Sequence, residues 1–215
     1  MRLAVITNAY PPEARGGAGT IAADLAGLWR ASGHEVRVWT GRAAWLDRDP
    51  FRRLLGHLFA DRSPAAFLPE VLAWQPDLVV THNLTGVGWA TGKACRAAGL
   101  PWIHVLHDVQ LFEPSGQLFV DRVTVWQRFW SVWRRRAFGV PTRVVSPTRW
   151  LLEAHQRRWW AFPAATVIPN PAPAALTPAR TVGAKPPWVF VGRLSADKGA
   201  GFLGYLAAVM PGETF

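Results

Sequence analysis

Short apolar runs alternate along this chain with segments whose apolar residues recur at helical spacing, and no other feature restricts the fold as much. Leu3–Thr7, Val36–Thr40, Asp77–Thr81, Pro101–Leu106, Arg143–Val145 and Thr166–Ile168 read as strands. Between the first two, Ile21, Leu25, Leu28 and Trp29 fall on one helical face, and Gly33 ends the helix. Further helices are expected over Val87–Ala98, about Val120–Phe138 and Pro147–Trp159, with a basic, apolar segment at Pro50–Ala60. Ser63-Pro64 has the form of a helix start, a capping residue followed by proline. Strands alternating with helices imply an α/β fold, a Rossmann-like parallel sheet with helices on both faces.

The alternation lapses at Pro169–Pro187, which is rich in proline and alanine. The domain reading is therefore residues 1–170, a linker at 171–186, and the start of a second unit at 187–215. That last stretch offers one strand at Trp188–Val191, a turn opened by Gly192 and a helix around Phe202–Val209. A piece of this length cannot bury a core of its own.

Composition narrows the partners. The 215 residues carry 24 Lys+Arg against 14 Asp+Glu, a net charge of +10, and 13 tryptophans. An excess of positive charge favours anionic lipid or phosphorylated ligands. No nucleic-acid-binding motif accompanies it, so nucleic acid is not expected as a partner. The lone Cys95 excludes an intramolecular disulfide and suits a reducing cytoplasm. No run approaches the ~20 apolar residues that cross a bilayer. A cytoplasmic protein is expected, soluble or peripheral on the inner face of the membrane.

In open α/β sheets, ligands bind beyond the carboxyl ends of the strands. Those ends here read Thr7-Asn8, His82-Asn83 and His107-Asp108, which together suit a polar acceptor or sugar. The turn Pro11–Thr20, PPEARGGAGT, leads into a helix whose first N–H groups lack partners, so Gly16 and Gly17 can admit an anion. It is not a P-loop, because no Gly-Lys-Ser/Thr follows. It is not a dinucleotide fingerprint either, since Ala22 replaces the third glycine and Thr40-Gly41 replace the ribose-binding acid. Near the C-terminus, WVFVGRLSADKG sets Arg193 and Lys198 on a turn between strand and helix, where cations and backbone N–H groups meet phosphate. His104 and His107 point to opposite faces of one strand, so no metal site is expected.

These segments, in this order, resemble glycosyltransferase family 4. PPEARGGAG through ASGHEVRVWT matches the family's opening, PDLVVTHN its third strand and HVLHD the strand with the cleft histidine. VVSPTRWLLEAH and VIPNP look like the end of the acceptor domain, and FVGRLSADKG like the entry to the donor domain. The resemblance implies the N-terminal half of a GT-B fold plus the first part of its second Rossmann domain. It implies retaining transfer from a nucleotide diphosphate sugar, without a metal or other cofactor. The acceptor would be a cell-envelope lipid, polysaccharide or other hydroxyl compound. Arg193, Lys198, Gly16 and Gly17 would hold the donor diphosphate, His107 would serve the reacting sugar with Asp108 orienting it, and Asn8, His82 and Asn83 would face the acceptor. The rest of the donor domain, including its paired glutamates, does not follow Gly199, so the chain alone is expected to be inactive and to need the missing half in cis or in trans. A non-catalytic module that binds acceptor or membrane is the alternative.

Trp126, Phe129, Trp130 and Trp133 recur as one helical stripe, with Arg134, Arg135 and Arg136 close by. One reading is an interfacial helix on anionic lipid; the other is a helix packing its aromatic stripe on the sheet.

Overall fold

The computed structural model describes residues 1–12, 16–118, 122–158, 160–171, 188–192, 194, 198–210 and 212. The chain divides into two units, Met1–Ala172 and Pro173–Phe215.

Among its described residues the first unit contains six strands: β1 (Arg2–Thr7), β2 (Glu35–Thr40), β3 (Leu78–Thr81), β4 (Trp102–Val105), β5 (Arg143–Ser146) and β6 (Ala165–Val167). All pair in parallel, in the order β2-β1-β3-β4-β5-β6. The helices are α1 (Gly17–Ala31), α2 (Pro50–Leu58), α3 (Leu68–Ala73), α4 (Thr91–Ala97), α5 (Val125–Phe138) and α6 (Arg149–Gln156), with 3₁₀ turns at Ala44–Asp47 and Ala60–Arg62. This is the Rossmann-like α/β fold that the alternation of strands and helices requires.

Residues of β1 alternate between two cores. Ala4 and Ile6 join the larger one, with Val71 of α3, Cys95 of α4, Phe138 of α5 and Leu151 of α6. Leu3 and Val5 join a smaller one with Ala26 of α1 and Val36 of β2. Crossover handedness explains the asymmetry. The chain steps from β1 to β2 in one direction and through β3, β4, β5 and β6 in the other, so right-handed connections place α1 on one face and α3–α6 on the opposite face. Beside α1 a cavity of about 380 Å³ remains, walled by Leu78, Val80, Ile103, Val105 and Val145 of the sheet.

Capping moves several helix starts from where periodicity puts them. Thr124 Oγ1 accepts from Gln127 N, so α5 begins at Val125 rather than near Val120. Thr148 caps α6 in the same way, and the helix begins at Arg149 rather than Pro147. Trp159, the expected last residue of that helix, lies outside the described residues. Gly86 and Gly88 have φ of +76° and +126°, which delays α4 to Thr91. No helix starts at Ser63-Pro64; α3 begins at Leu68, with Pro69 in its first turn. The basic segment forms α2, where Asp49 Oδ1 accepts from Phe51 N and Arg52 N ahead of Pro50.

In the second unit, α7 (Ala200–Val209) is helical as its pattern requires. Trp188–Val191 is not a strand, and Trp188, Val189 and Val191 are exposed. A strand is stable only against a neighbouring strand, and this one has none among the described residues. Apart from Pro171, the linker residues lie outside the described part.

Candidate functional site

Strand order reverses between β1 and β3, so a crevice opens beyond their carboxyl ends. Asn8 ties the two ends together: its N–H donates to Asn83 O at 3.0 Å and its Nδ2 to Thr85 O at 3.2 Å. Helix α1 begins beside this strand end. Gly16 occupies its N-cap without a side-chain capping bond, and both Gly16 and Gly17 are exposed. The helix N-terminus thus keeps unpaired N–H groups and the positive end of its dipole. A Cβ at either glycine would meet open space, whereas one at Gly19 would lie 2.7 Å from Ala9 O. The glycine that packing demands is therefore Gly19, a position the sequence reading did not single out.

At the end of β4, His107 is half-buried, and its Nε2 lies 2.8 Å from Nδ1 of the fully buried His82. The rings are nearly parallel, 23° apart with centroids separated by 5.0 Å. Burial pushes His82 down to about 3, helped by nearby His107, and burial pushes His107 down to about 4, so both are neutral at pH 7. One ring must therefore donate and the other accept. His82 Nε2 is buried with no partner, and an unpaired lone pair is cheaper there than an unpaired N–H. This assigns the shared proton to His82 Nδ1 and leaves His107 with an Nδ1–H donor for the crevice.

That arrangement corrects two expectations. His82 is too deeply buried to present itself to an acceptor; it backs His107 instead. Asp108 does not orient His107: Oδ2 accepts from Asn83 Nδ2 and Oδ1 from Gln110 N, both at 2.9 Å. Burial raises Asp108 to about 6, and these two hydrogen bonds oppose the rise. His104 is buried within the sheet. The Trp102 indole donates to Thr81 Oγ1 at 2.7 Å, so the Thr81 hydroxyl proton goes to His104 Nδ1 at 2.8 Å.

The loops after β3 and β4 continue the site outward. The Thr85 hydroxyl donates to Gln110 Oε1. Both residues line a cavity of about 490 Å³ that also takes in Arg42, Arg53, His57, Glu113 and Trp126. One buried carboxylate supports its inner wall. Asp61 Oδ1 accepts from Gly86 N at 2.8 Å, while Oδ2 accepts from Trp89 Nε1 at 2.7 Å and Arg134 Nη1 at 3.2 Å. The Arg134 guanidinium lies 4.5 Å from the centre of the Trp89 ring and 4.9 Å from that of Trp130. Burial lowers Arg134 to about 10 against the pull of Asp61, so it remains charged at neutral pH. The sequence reading missed Asp61 and His57; the signal available was a charged arginine recurring on the apolar period of α5.

That period also corrects the membrane stripe. The buried face of α5 is Gln127, Trp130, Ser131, Arg134, Ala137 and Phe138, so Trp130 and Arg134 are not surface residues. Arg134 is held by Asp61, and Gln127 accepts from the buried Arg158 Nε at 2.7 Å. Trp133 is half-buried and donates to Leu58 O at 3.0 Å. Trp126, Phe129, Arg135 and Arg136 are exposed. No helix among the described residues is long and apolar enough to cross a membrane.

In the second unit, Lys198 is exposed at the turn before α7, where Gly199 has φ +82°. Arg193 lies outside the described residues. No group of His, Cys, Asp and Glu with metal-binding geometry occurs among the described residues.

No curated relative matches the chain. Among solved structures, Spinosyn Forosaminyltransferase SpnP is similar at a TM-score of 0.48 and 19% identity, over 95% of this chain and 61% of that one. The chain therefore spans about three-fifths of that protein's length. The model of Glycosyltransferase Family 4 matches residues 15–175, from the start of α1 past the last strand. The chain belongs to glycosyltransferase family 4.

Proposed function

We propose that this chain is the acceptor-side part of a retaining glycosyltransferase that moves a sugar from a nucleotide diphosphate sugar to a hydroxyl acceptor. The observation that carries this reading is the His82–His107 pair at the ends of β3 and β4, in the crevice onto which α1 opens. The N-terminus of α1, at Gly16 and Gly17, receives an anionic part of the donor, and Arg193 and Lys198 remain the cations that the sequence offers to the donor diphosphate. His107 Nδ1–H donates to an oxygen of the transferred sugar and polarises the reacting centre. Asn8 and Asn83 are the polar groups at the crevice end of the acceptor, beside the reacting sugar. The reading requires no metal.

The test is a set of three single substitutions in the active enzyme. His107→Ala lowers turnover more than donor affinity, because its contact is with the sugar. Lys198→Ala and Arg193→Ala weaken nucleotide diphosphate binding, each by roughly 1–3 kcal/mol. A histidine substitution that changes nucleotide affinity alone refutes the assignment.

The exposed surface also supports a peripheral membrane contact, now carried mainly by α2. Phe51, Leu55 and Phe59 are 68%, 38% and 62% exposed and recur at helical spacing, with Arg52 and Arg53 beside them. Trp126 and Phe129 of the neighbouring α5 extend this aromatic and basic surface. Anionic lipid is the partner with matching chemistry.

A further inference from the structure

We propose that the cavity between α2 and the loops after β3 and β4 is the acceptor site and that it takes a neutral saccharide, stacked on Trp126 and hydrogen-bonded by His57 and Gln110. That the ligand is an acceptor rests on the transferase reading above; its saccharide chemistry rests on the cavity itself. Its volume of about 490 Å³ has room for one or two sugar rings.

The lining mixes donors, acceptors and one aromatic face, which is what hydroxyls that both donate and accept require. Trp126 lines the cavity and is 43% exposed, with its ring held by Phe129 at 5.8 Å and Trp130 at 5.7 Å. Gln110 Oε1 is occupied by the Thr85 hydroxyl, so its NH₂ is the group left to donate. Glu113 provides a carboxylate on the same wall. His57 is the most telling member, being only 6% exposed in a cavity wall. Its Nδ1 is buried, unpartnered, and 3.8 Å from Asp61 Oδ2, so Nε2 is the nitrogen that serves the cavity. The ring is fixed edge-on against Trp45 at 4.7 Å and Trp130 at 6.0 Å. Gly56 admits Trp45 to that position, since a Cβ there would collide with its ring.

Charge decides between a neutral and an anionic ligand. The Arg42 fork is already taken by both oxygens of Asp47. Arg53, the other cation of the lining, shares it with one carboxylate, Glu113. An anionic head group would meet no uncommitted pair of cations here.

The experiment screens the labelled 215-residue protein on an array of neutral, uronic-acid-containing and phosphorylated oligosaccharides. The best neutral hit is then titrated calorimetrically into variants whose folding is checked by circular dichroism. Trp126→Ala is expected to weaken binding about ten-fold and His57→Gln about five-fold, while Trp126→Phe retains most of it. Trp150→Ala, at an exposed position of α6, serves as the unchanged control. Retention of no neutral oligosaccharide, preference for the phosphorylated or uronic-acid set, or unaltered binding by Trp126→Ala overturns the proposal. Titration of UDP and GDP into the 215-residue sequence joined to a complete donor domain separates the two readings. Saccharide binding without nucleotide binding supports this site and counts against the transferase; nucleotide binding without saccharide binding overturns this site alone.

Discussion

His82 Nδ1 lies 2.8 Å from His107 Nε2, so one proton is shared between the ends of β3 and β4. A half-buried ring is thereby oriented by a fully buried one, without a carboxylate. Nitrogen-detected NMR of the imidazoles should find both neutral at pH 7, with protonation only near pH 3–4. Protonation of either ring near its ordinary value of 6.5 contradicts this arrangement.

Buried histidines also make the fold acid-sensitive. His82, His107 and His155 all fall to about 3–4, chiefly through burial, so the unfolded chain binds the extra protons below pH 6.5. Asp108 acts in the opposite sense: raised to about 6, it gives the folded state the extra proton between pH 4 and 6. Burial holds His104 well below its ordinary value as well, so four histidines outweigh one carboxyl. Stability should fall as pH falls from 6.5 towards 4, by on the order of 3–4 kcal/mol per pH unit near pH 5. Urea unfolding at pH 7, 6 and 5 measures the slope, and His155→Gln should flatten it.

Breaking the Asp61–Arg134 pair leaves a charge buried without its partner. Arg134→Met or Asp61→Asn should each cost about 3–5 kcal/mol, and the double variant should cost less than the sum of the two. Chemical denaturation of the four proteins closes the cycle. Additive effects would show that the pair is not coupled.

The two ends of the α1 turn should respond differently to a methyl group. Gly19→Ala meets the Ala9 carbonyl at 2.7 Å and should destabilise by roughly 1–3 kcal/mol. Gly17→Ala meets nothing and should leave the melting temperature unchanged or higher. If the diphosphate sits on these N–H groups, Gly17→Ala should still weaken nucleotide binding, by calorimetry.

Membrane contact should depend on α2 rather than on the buried stripe of α5. Co-sedimentation with anionic vesicles should drop when Phe51 and Phe59 become serine and Arg52 glutamine, and should fall with salt. Equal binding to neutral vesicles removes the electrostatic part of the reading.

By itself the sequence determined the βα alternation, the parallel sheet and the polar residues at its strand ends, because these depend on local period and on neighbours in the chain. His107 and Asp108 were legible for that reason, as were the glycine turn before α1 and the family. Tertiary structure alone decided partners distant in sequence: that His82 rather than Asp108 orients His107, that Asp61 draws Arg134 inward, and that His57 lines the cavity beside Trp126. An aromatic stripe with nearby arginines has the same period whether it faces lipid or core. Only the position of a carboxylate on another element, buried beside α5, fixed which residues of that helix turned in. The reason is physical: helical period states which residues share a face, whereas the energy that buries a face comes from groups the period does not contain.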